Sequence, residues 1–109
     1  MSIDPAHAVV ATEKLTGYLL SRSHPIGRYK SPFFLGLGYT AENPDRLRAD
    51  LIALLQKSAE PGEVTEFGQK FLSRGALTGP NGKVGRILAV WIILAGSSQF
   101  RLVTAYLEE

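Results

Sequence analysis

The chain has 109 residues, no cysteine and a formal net charge of +2 at pH 7. This length is enough for one hydrophobic core, so we expect a single domain over residues 1–109. The lack of cysteine excludes disulfides, thiolate zinc sites and a cysteine nucleophile. The chain has only two histidines, the other common zinc ligand. The sequence therefore predicts no metal site and no cofactor.

The N-terminal segment, residues 1–11, carries Asp4 and Pro5 where a secretion signal needs a basic start and an unbroken apolar stretch. We therefore expect it to be a loose arm and the protein to be cytoplasmic. The longest apolar run, from Ile87 to Ala95, is well short of the roughly 20 residues that a membrane-spanning helix requires. No membrane association is expected.

Helical periodicity dominates the first half of the chain, which we expect to be helical over residues 12–59. Thr12 starts a short helix that runs to about residue 20. Ser31 is typical of an N-cap, with Pro32 at the first helical position of a second helix. The clearest helix spans about residues 44–59, because its apolar residues form one stripe opposite charged ones. These apolar residues are Leu47, Leu51, Ile52, Leu54 and Leu55.

The apolar period changes to two in the second half, which predicts a sheet over residues 62–107. Four strands follow one another, at about 63–66, 69–77, 83–95 and 99–106. Gly79 to Gly82 forms the turn between the second and the third. Helices followed by sequential strands predict an α+β fold, with N-terminal helices packed on one face of a four-stranded antiparallel β-meander.

Positive charge is concentrated in two segments. Residues 14–41 contain four Lys or Arg and no acid, and residues 67–107 contain five and no acid, whereas residues 42–66 carry six acids against three bases. If the two basic segments meet in space, they form a surface that attracts a polyanion such as RNA. The alternative is that these charges only solvate strands and loops.

Several motifs of nucleotide-binding and hydrolytic enzymes are absent, among them the phosphate loop, GxGxxG, HExxH and GxSxG. RNA cleavage without a metal needs a base for the 2′-hydroxyl proton, an acid for the leaving oxygen and cations on the phosphate. Histidine suits acid–base work near neutral pH, and His24 is closely followed by Arg28 and Lys30. The alternative is that a histidine before a proline only orders its loop.

Further candidates lie on the last predicted strand. Regular alternation places Thr104 and Tyr106 on one face and Arg101 on the other. Arg101 and Thr104 can therefore point into one site only if a bulge shifts the register. Without a functional role, Thr104 is an ordinary β-branched strand residue and Tyr106 lies at the edge of the core.

Other cations follow the predicted sheet. Lys70 and Arg74 fall on one face of a strand, and Lys83 and Arg86 flank the exposed start of the next strand. A groove that tracks phosphates would use such a row. A sheet edge that is kept from aggregating by its charges would look the same.

The chain resembles a small family of bacterial domains of unknown function. Three strings carry this resemblance: LTGYLLSRSHPIGRYKSPFFLGLGYTAENP from Leu15, LTGPNGKVGRILAVWIIL from Leu77, and RLVTAY from Arg101. The family tends to appear beside toxin–antitoxin partners or in phage-related and polymorphic-toxin proteins. By fold analogy, the layout is also similar to the nucleases of the barnase, EndoU and RelE group. The resemblance implies a site lined by five residues, His24, Lys30, Arg101, Thr104 and Tyr106.

Two functional hypotheses follow. The first is a toxin-type, metal-independent endoribonuclease that a small cognate antitoxin protein neutralises. His24 would be its acid or base, Lys30 and Arg101 would hold the scissile phosphate, and Tyr106 would stack or transfer a proton. Its substrate-binding residues would be Arg28, Arg74, Lys83 and Arg86. The second hypothesis is a non-enzymatic module that docks a protein partner or nucleic acid through its basic face. A small-molecule enzyme is a more distant third.

Overall fold

The computed structural model describes residues 3–108, which form an α+β domain. The helices are α1 (Thr12–Lys14), which continues into a π-helical turn (Leu15–Leu19), α2 (Ser31–Gly36) and α3 (Pro44–Lys57). Short 3-10 turns lie at Pro5–His7 and Gly27–Tyr29. The strands are β1 (Ala8–Val9), β2 (Glu60–Thr65), β3 (Gly68–Thr78), β4 (Val84–Leu94) and β5 (Phe100–Leu107).

The sheet of the described residues is mixed and has five strands in the order β1-β5-β4-β3-β2. Strands β2 to β5 form the predicted antiparallel meander. The additional strand, β1, pairs parallel to β5, with Ala8 opposite Phe100 and Val9 opposite Arg101. The prediction of a four-stranded, purely antiparallel sheet is corrected in this respect, since a two-residue strand is too short to show a period of two.

The segment that we expected to be a loose arm packs on the domain from residue 3 onward. Ile3 and Val10 are buried in the core. Side chains of α3 hold this segment, because Gln56 Nε2 donates to the Ile3 carbonyl at 3.1 Å and Arg48 Nε donates to the Val10 carbonyl at 3.0 Å. Residues 1 and 2 of the expected arm lie outside the described residues.

The first predicted helix, residues 12–20, is interrupted by the π-helical turn. The Leu20 amide donates to the Leu15 carbonyl at 2.7 Å, five residues back rather than four. Leu15 and Leu19 are fully buried. Tyr18 turns towards β5, where its hydroxyl meets Thr104. The π-helical turn therefore directs Leu15 and Leu19 into the core and Tyr18 towards β5.

The second helix differs from the prediction at its start. Ser31 is the first residue of α2 rather than its cap, and Pro32 lies in the first turn as expected. The Ser31 side chain is fully buried, and its hydroxyl has no hydrogen-bond partner among the described residues. Gly38, just beyond the helix, has a φ of 98°, in the region that favours glycine.

The core lies between the helices and one face of the sheet. Trp91 of β4 is fully buried there, as expected of a core tryptophan, and so are Phe34 of α2 and Leu51 of α3. Alternation along β4 places Ile87 and Ala89 on the same face as Trp91. The helices therefore cover the face that carries the odd-numbered residues of β4, and the even-numbered residues lie on the opposite face.

Candidate functional site

The last strand, β5, contains a β-bulge. Thr104 pairs with Val90 of β4, but Leu102 pairs with the next residue of β4, Trp91, so Val103 is an extra residue. A bulge of this kind reverses the faces of all residues that follow it.

The bulge brings three candidate residues to one face of the sheet. Leu102 and Ala105 both point into the core, with exposed fractions of 5% and 0%. Arg101, Thr104 and Tyr106 therefore share the opposite face. In a regular strand, Arg101 and Thr104 would point to opposite faces. The bulge places both on the same face.

Thr104 is the centre of a group of contacts that we call the Thr104 cluster, made of Tyr18, Lys30, Thr104 and Tyr106. Lys30 Nζ donates to Thr104 Oγ1 at 2.5 Å, and Tyr18 Oη lies 3.0 Å from the same oxygen. The Lys30 ammonium also lies 5.1 Å from the centre of the Tyr18 ring and 5.4 Å from that of Tyr106. Two aromatic rings and one hydroxyl thus hold the cation in place.

The Tyr18 phenol has an altered acidity. Burial by itself raises its pKa, but the hydrogen bonds from Lys30 and Thr104 and the charges of Lys30 and Lys14 outweigh that effect. The pKa of Tyr18 is therefore lowered from its ordinary value of 10.0. The Lys14 ammonium lies 5.5 Å from the ring centre. A phenol of lowered pKa gives up its proton more readily, which makes Tyr18 a candidate for proton transfer.

His24 packs edge-on against Tyr18, with the ring centres 4.9 Å apart. Its Nδ1 accepts the backbone N–H groups of Ile26 and Gly27, both at 3.0 Å. These two donors require an unprotonated Nδ1, so the neutral ring carries its proton on Nε2 and has no free lone pair. This arrangement favours the alternative in which His24 orders its loop.

Gly27 fixes that loop against the π-helical turn. A Cβ atom at this position would lie 2.1 Å from the carbonyl oxygen of Tyr18, which is backbone and cannot swing aside. The Gly27 amide also donates to His24 Nδ1. Glycine at residue 27 is therefore needed for the contact between His24 and Tyr18.

Two members of the cluster, Tyr18 and Thr104, line a cleft of about 720 Å³, together with His24 and Lys14. Clefts that bind small ligands are commonly about 300–1,000 Å³ in volume. Glu13 is the acidic residue of the lining. The cleft is large enough for a nucleotide and has at least one cation on its wall.

Two other predicted substrate-binding residues do not reach this cleft. Arg28 lines a separate open cavity of about 570 Å³. Arg74 forms ion pairs with Glu108 and, at 3.8 Å, with Glu60. The charge of Arg74 is therefore largely neutralised, which weakens the prediction of a basic row along the sheet.

The remaining predicted cations lie along the strands at a distance from Thr104, which pairs with Val90. By the spacing of residues in a strand, Lys83 lies about 24 Å from this point and Arg86 about 14 Å. Arg101 is nearer, because it pairs with Ile92, two residues from Val90, which corresponds to about 7 Å along the strand. Arg86 and Arg101 share the sheet face of Thr104, whereas Lys83 is in the turn before β4.

Two functional features were missed by sequence reasoning, the roles of Tyr18 and Lys14. Tyr18 is spaced with Leu15 and Leu19 as part of an apolar stripe, which indicates core. The signal that could have found it is the phenol itself, because a tyrosine hydroxyl near a core normally has a hydrogen-bond partner. The π-helical turn that redirects the ring cannot be predicted from the spacing of the apolar residues.

Within residues 3–108, no group of three or more potential ligand side chains is arranged to hold a metal ion. No helix in the same range is sufficiently long and apolar to cross a membrane.

These features define a small α+β domain in which the bulged strand β5, the π-helical turn and the ordered loop together form one cleft. The chain belongs to the family described as Domain of unknown function (DUF6883), whose model matches residues 3–109. This confirms the resemblance to a family of domains of unknown function. No curated protein matches the chain in sequence.

A similar fold occurs in one chain of a contact-dependent growth inhibition toxin–immunity protein complex from Klebsiella pneumoniae 342. The two chains have 18% sequence identity and a TM-score of 0.70, and the match covers 96% of this chain and 97% of that chain. At this level of identity, the likeness shows the fold alone.

Proposed function

We propose that this domain is a toxin-type, metal-independent endoribonuclease that acts in the cytoplasm and is neutralised by a small cognate protein. The observation that carries the proposal is the Tyr18 phenol of lowered pKa, hydrogen-bonded to Thr104 beside the Lys30 ammonium at a cleft. The toxin role and the protein partner are supported by the fold likeness to a chain of a toxin–immunity protein complex.

In this reaction, the 2′-oxygen of a ribose attacks the adjacent phosphorus and the bond to the next 5′-oxygen breaks. The phenolate form of Tyr18, which the neighbouring Lys30 and Thr104 favour, accepts the 2′-hydroxyl proton, and Tyr106 gives a proton to the leaving 5′-oxygen. The products are a 2′,3′-cyclic phosphate and a free 5′-hydroxyl. His24 keeps the Tyr18 ring in place through its edge contact.

Lys30 supplies the positive charge that the phosphate needs in the transition state. Among the described residues, the ion pairs do not include Lys30, so its charge is available to an anion. Thr104 holds the ammonium in position. Arg101, on the same face of β5, receives a flanking phosphate of the substrate.

The docking module of the second hypothesis is less well supported by the charges on the sheet. Two cations of its expected basic face already have acidic partners, because Lys70 lies 3.6 Å from Glu63 and Arg74 pairs with two acids. A surface whose cations already have partners attracts a polyanion more weakly.

The test is incubation of the purified protein with total bacterial RNA in EDTA, followed by mapping of ends that carry a 2′,3′-cyclic phosphate. We expect the native protein to cleave and Lys30→Ala to lose about 100-fold or more of the rate. Lys57→Ala is the charge-matched control, because Lys57 is an exposed residue at the end of α3. It should cleave as the native protein does.

Thermal unfolding establishes that each variant is folded before its activity is compared. Intact RNA at high concentrations of folded native protein would contradict the nuclease. Cleavage that persists in Lys30→Ala would contradict the site. Binding of RNA without any cleavage would favour the docking module instead.

A further inference from the structure

The segment before α2 presents an aromatic surface that the Thr104 cluster does not use. Tyr29 is 74% exposed, although most large aromatic side chains of the domain are covered. The Arg28 guanidinium lies 4.9 Å from the centre of the Tyr29 ring, and its Nη2 donates to Tyr29 Oη at 2.9 Å. The ring is thus oriented by its neighbour while most of its surface stays accessible.

Arg28, which contacts the Tyr29 ring, also lines a cavity of about 570 Å³, with Arg22 and Ser31 in the same walls. Among the described residues, neither arginine takes part in an ion pair. The Ser31 hydroxyl is buried without a hydrogen-bond partner there. Two available guanidinium groups are suited to an oxyanion such as a phosphate, to which arginine can donate two parallel hydrogen bonds.

We propose that Tyr29, Arg22 and Arg28, here called the Tyr29 platform, bind one unpaired nucleotide of RNA next to the scissile phosphate. Tyr29 stacks on the base, and the two arginines hold its phosphate. This inference rests on the proposed function and deepens it, because it names unpaired, single-stranded RNA as the substrate class.

Stacking explains the restriction to unpaired RNA. A base within a duplex is already stacked on its neighbours, so only a base that has left the stack can lie on an exposed ring. Tyr29 immediately precedes Lys30, whose ammonium reaches the Thr104 cluster. A single strand that passes over the loop can therefore contact the platform with one nucleotide and the cleft with the next.

Binding of an RNA that cannot be cleaved separates this inference from the nuclease. The probe is a short fluorescein-labelled oligoribonucleotide of random sequence in which every 2′-hydroxyl is methylated, and the readout is fluorescence anisotropy. We expect Tyr29→Ala to weaken binding by about 10-fold, within the range that one base stacked on an aromatic ring contributes. Tyr29→Phe keeps the ring and should bind nearly as the native protein does.

The arginines are tested by the salt dependence of the same binding. Each phosphate contact to a single strand contributes about 0.7 to the slope of log K against log salt. Because both arginines hold the same phosphate, the double variant Arg22→Ala/Arg28→Ala should reduce the slope by about this amount, whereas the control Lys57→Ala should leave it unchanged. A slope unaffected in the double variant would overturn the phosphate contact.

A base-paired duplex and an abasic strand of the same length complete the test. The effect of Tyr29→Ala should disappear on both, since neither offers an unpaired base. If Tyr29→Ala binds the single strand as tightly as the native protein does, or loses equal affinity for the duplex, the platform is wrong. Tyr29-dependent binding without cleavage would uphold the platform and overturn the nuclease. Cleavage that does not depend on Tyr29 would uphold the nuclease and overturn the platform.

Discussion

Lys30 Nζ and Thr104 Oγ1 lie 2.5 Å apart, although 74 residues separate the two in the chain. This contact joins the loop before α2 to the bulged part of β5. It also determines the surroundings of the Tyr18 phenol, which shares the Thr104 oxygen. The acidity of Tyr18 therefore depends on a residue that is distant in sequence.

Replacing Lys30 should raise the pKa of Tyr18. Lys30→Met removes a hydrogen bond and a positive charge that both lower this pKa, and it leaves the burial that raises it. The measurement is an NMR titration of the tyrosine ring carbons, with the Tyr18 signal assigned from Tyr18→Phe. Lys57→Met is the control. An unchanged titration in Lys30→Met would show that Lys30 does not act on the phenol.

Tyr39 should stabilise the fold through one buried hydrogen bond. Its Oη donates to Asp50 Oδ2 at 2.6 Å, and the ring is 1% exposed. Tyr39→Phe keeps the packing and loses the hydrogen bond to a charged acceptor, which costs about 1.5–3 kcal/mol of unfolding free energy. Urea unfolding near neutral pH measures this difference, and equal stabilities would contradict it.

The same pair predicts a pH dependence. Burial, together with the hydrogen bond to Asp50 and its negative charge, raises the pKa of Tyr39 well above the ordinary value of 10.0. The unfolded chain then releases this proton at a lower pH than the folded one, so the contribution of Tyr39 is complete below about pH 10 and falls as the pH rises further. The stability difference between the native protein and Tyr39→Phe should shrink above pH 10. A constant or growing difference would contradict this.

Gly27→Ala should disrupt the site, whereas Gly36→Ala should not. The new Cβ collides with the Tyr18 carbonyl and pushes the His24 loop away from the Tyr18 ring. We expect a lower melting temperature and a large loss of RNA cleavage. Gly36→Ala has no atom within 4 Å of its Cβ and should raise stability, by about 0.4–1 kcal/mol. Equal melting temperatures for the two variants would contradict the steric explanation.

Ser73→Ala should make the protein more stable. Ser73 faces the core from β3, is fully buried, and its hydroxyl has no hydrogen-bond partner among the described residues. Removing such a group recovers about 1 kcal/mol or more of desolvation cost. Chemical denaturation measures the gain, with the exposed Ser98→Ala as the control. A loss of stability in Ser73→Ala would point to an undetected partner of the hydroxyl.

Much of the fold could be predicted from local sequence patterns. The stripe of α3, the alternation of β3 and the continuous apolar run of β4 each extend over many residues, so these elements were found close to their observed bounds. Gly82 has a φ of 83°, which explains why the turn between β3 and β4 was marked by glycine. β1 could not be found, because two residues carry no period and this strand exists only through its pairing with β5.

The site was less predictable than the fold. Lys30, Thr104 and Tyr106 were named as candidates from their residue types and again through the resemblance, and the structure brings these three together. The shared face of Arg101 and Thr104 depends on a one-residue bulge that alternation cannot reveal. The hydrogen bonds that His24 Nδ1 accepts from two backbone amides are not specified by any residue pattern.

In the proposed reaction, Tyr18 Oη accepts the proton of the 2′-hydroxyl. The most direct test of this step is the single-turnover cleavage rate of the native protein and of Tyr18→Phe in EDTA, on an RNA that the native protein cuts. We expect Tyr18→Phe to lose at least about 100-fold in rate, with binding of the methylated oligoribonucleotide unchanged. A rate close to that of the native protein would show that proton transfer occurs elsewhere and would contradict the claim.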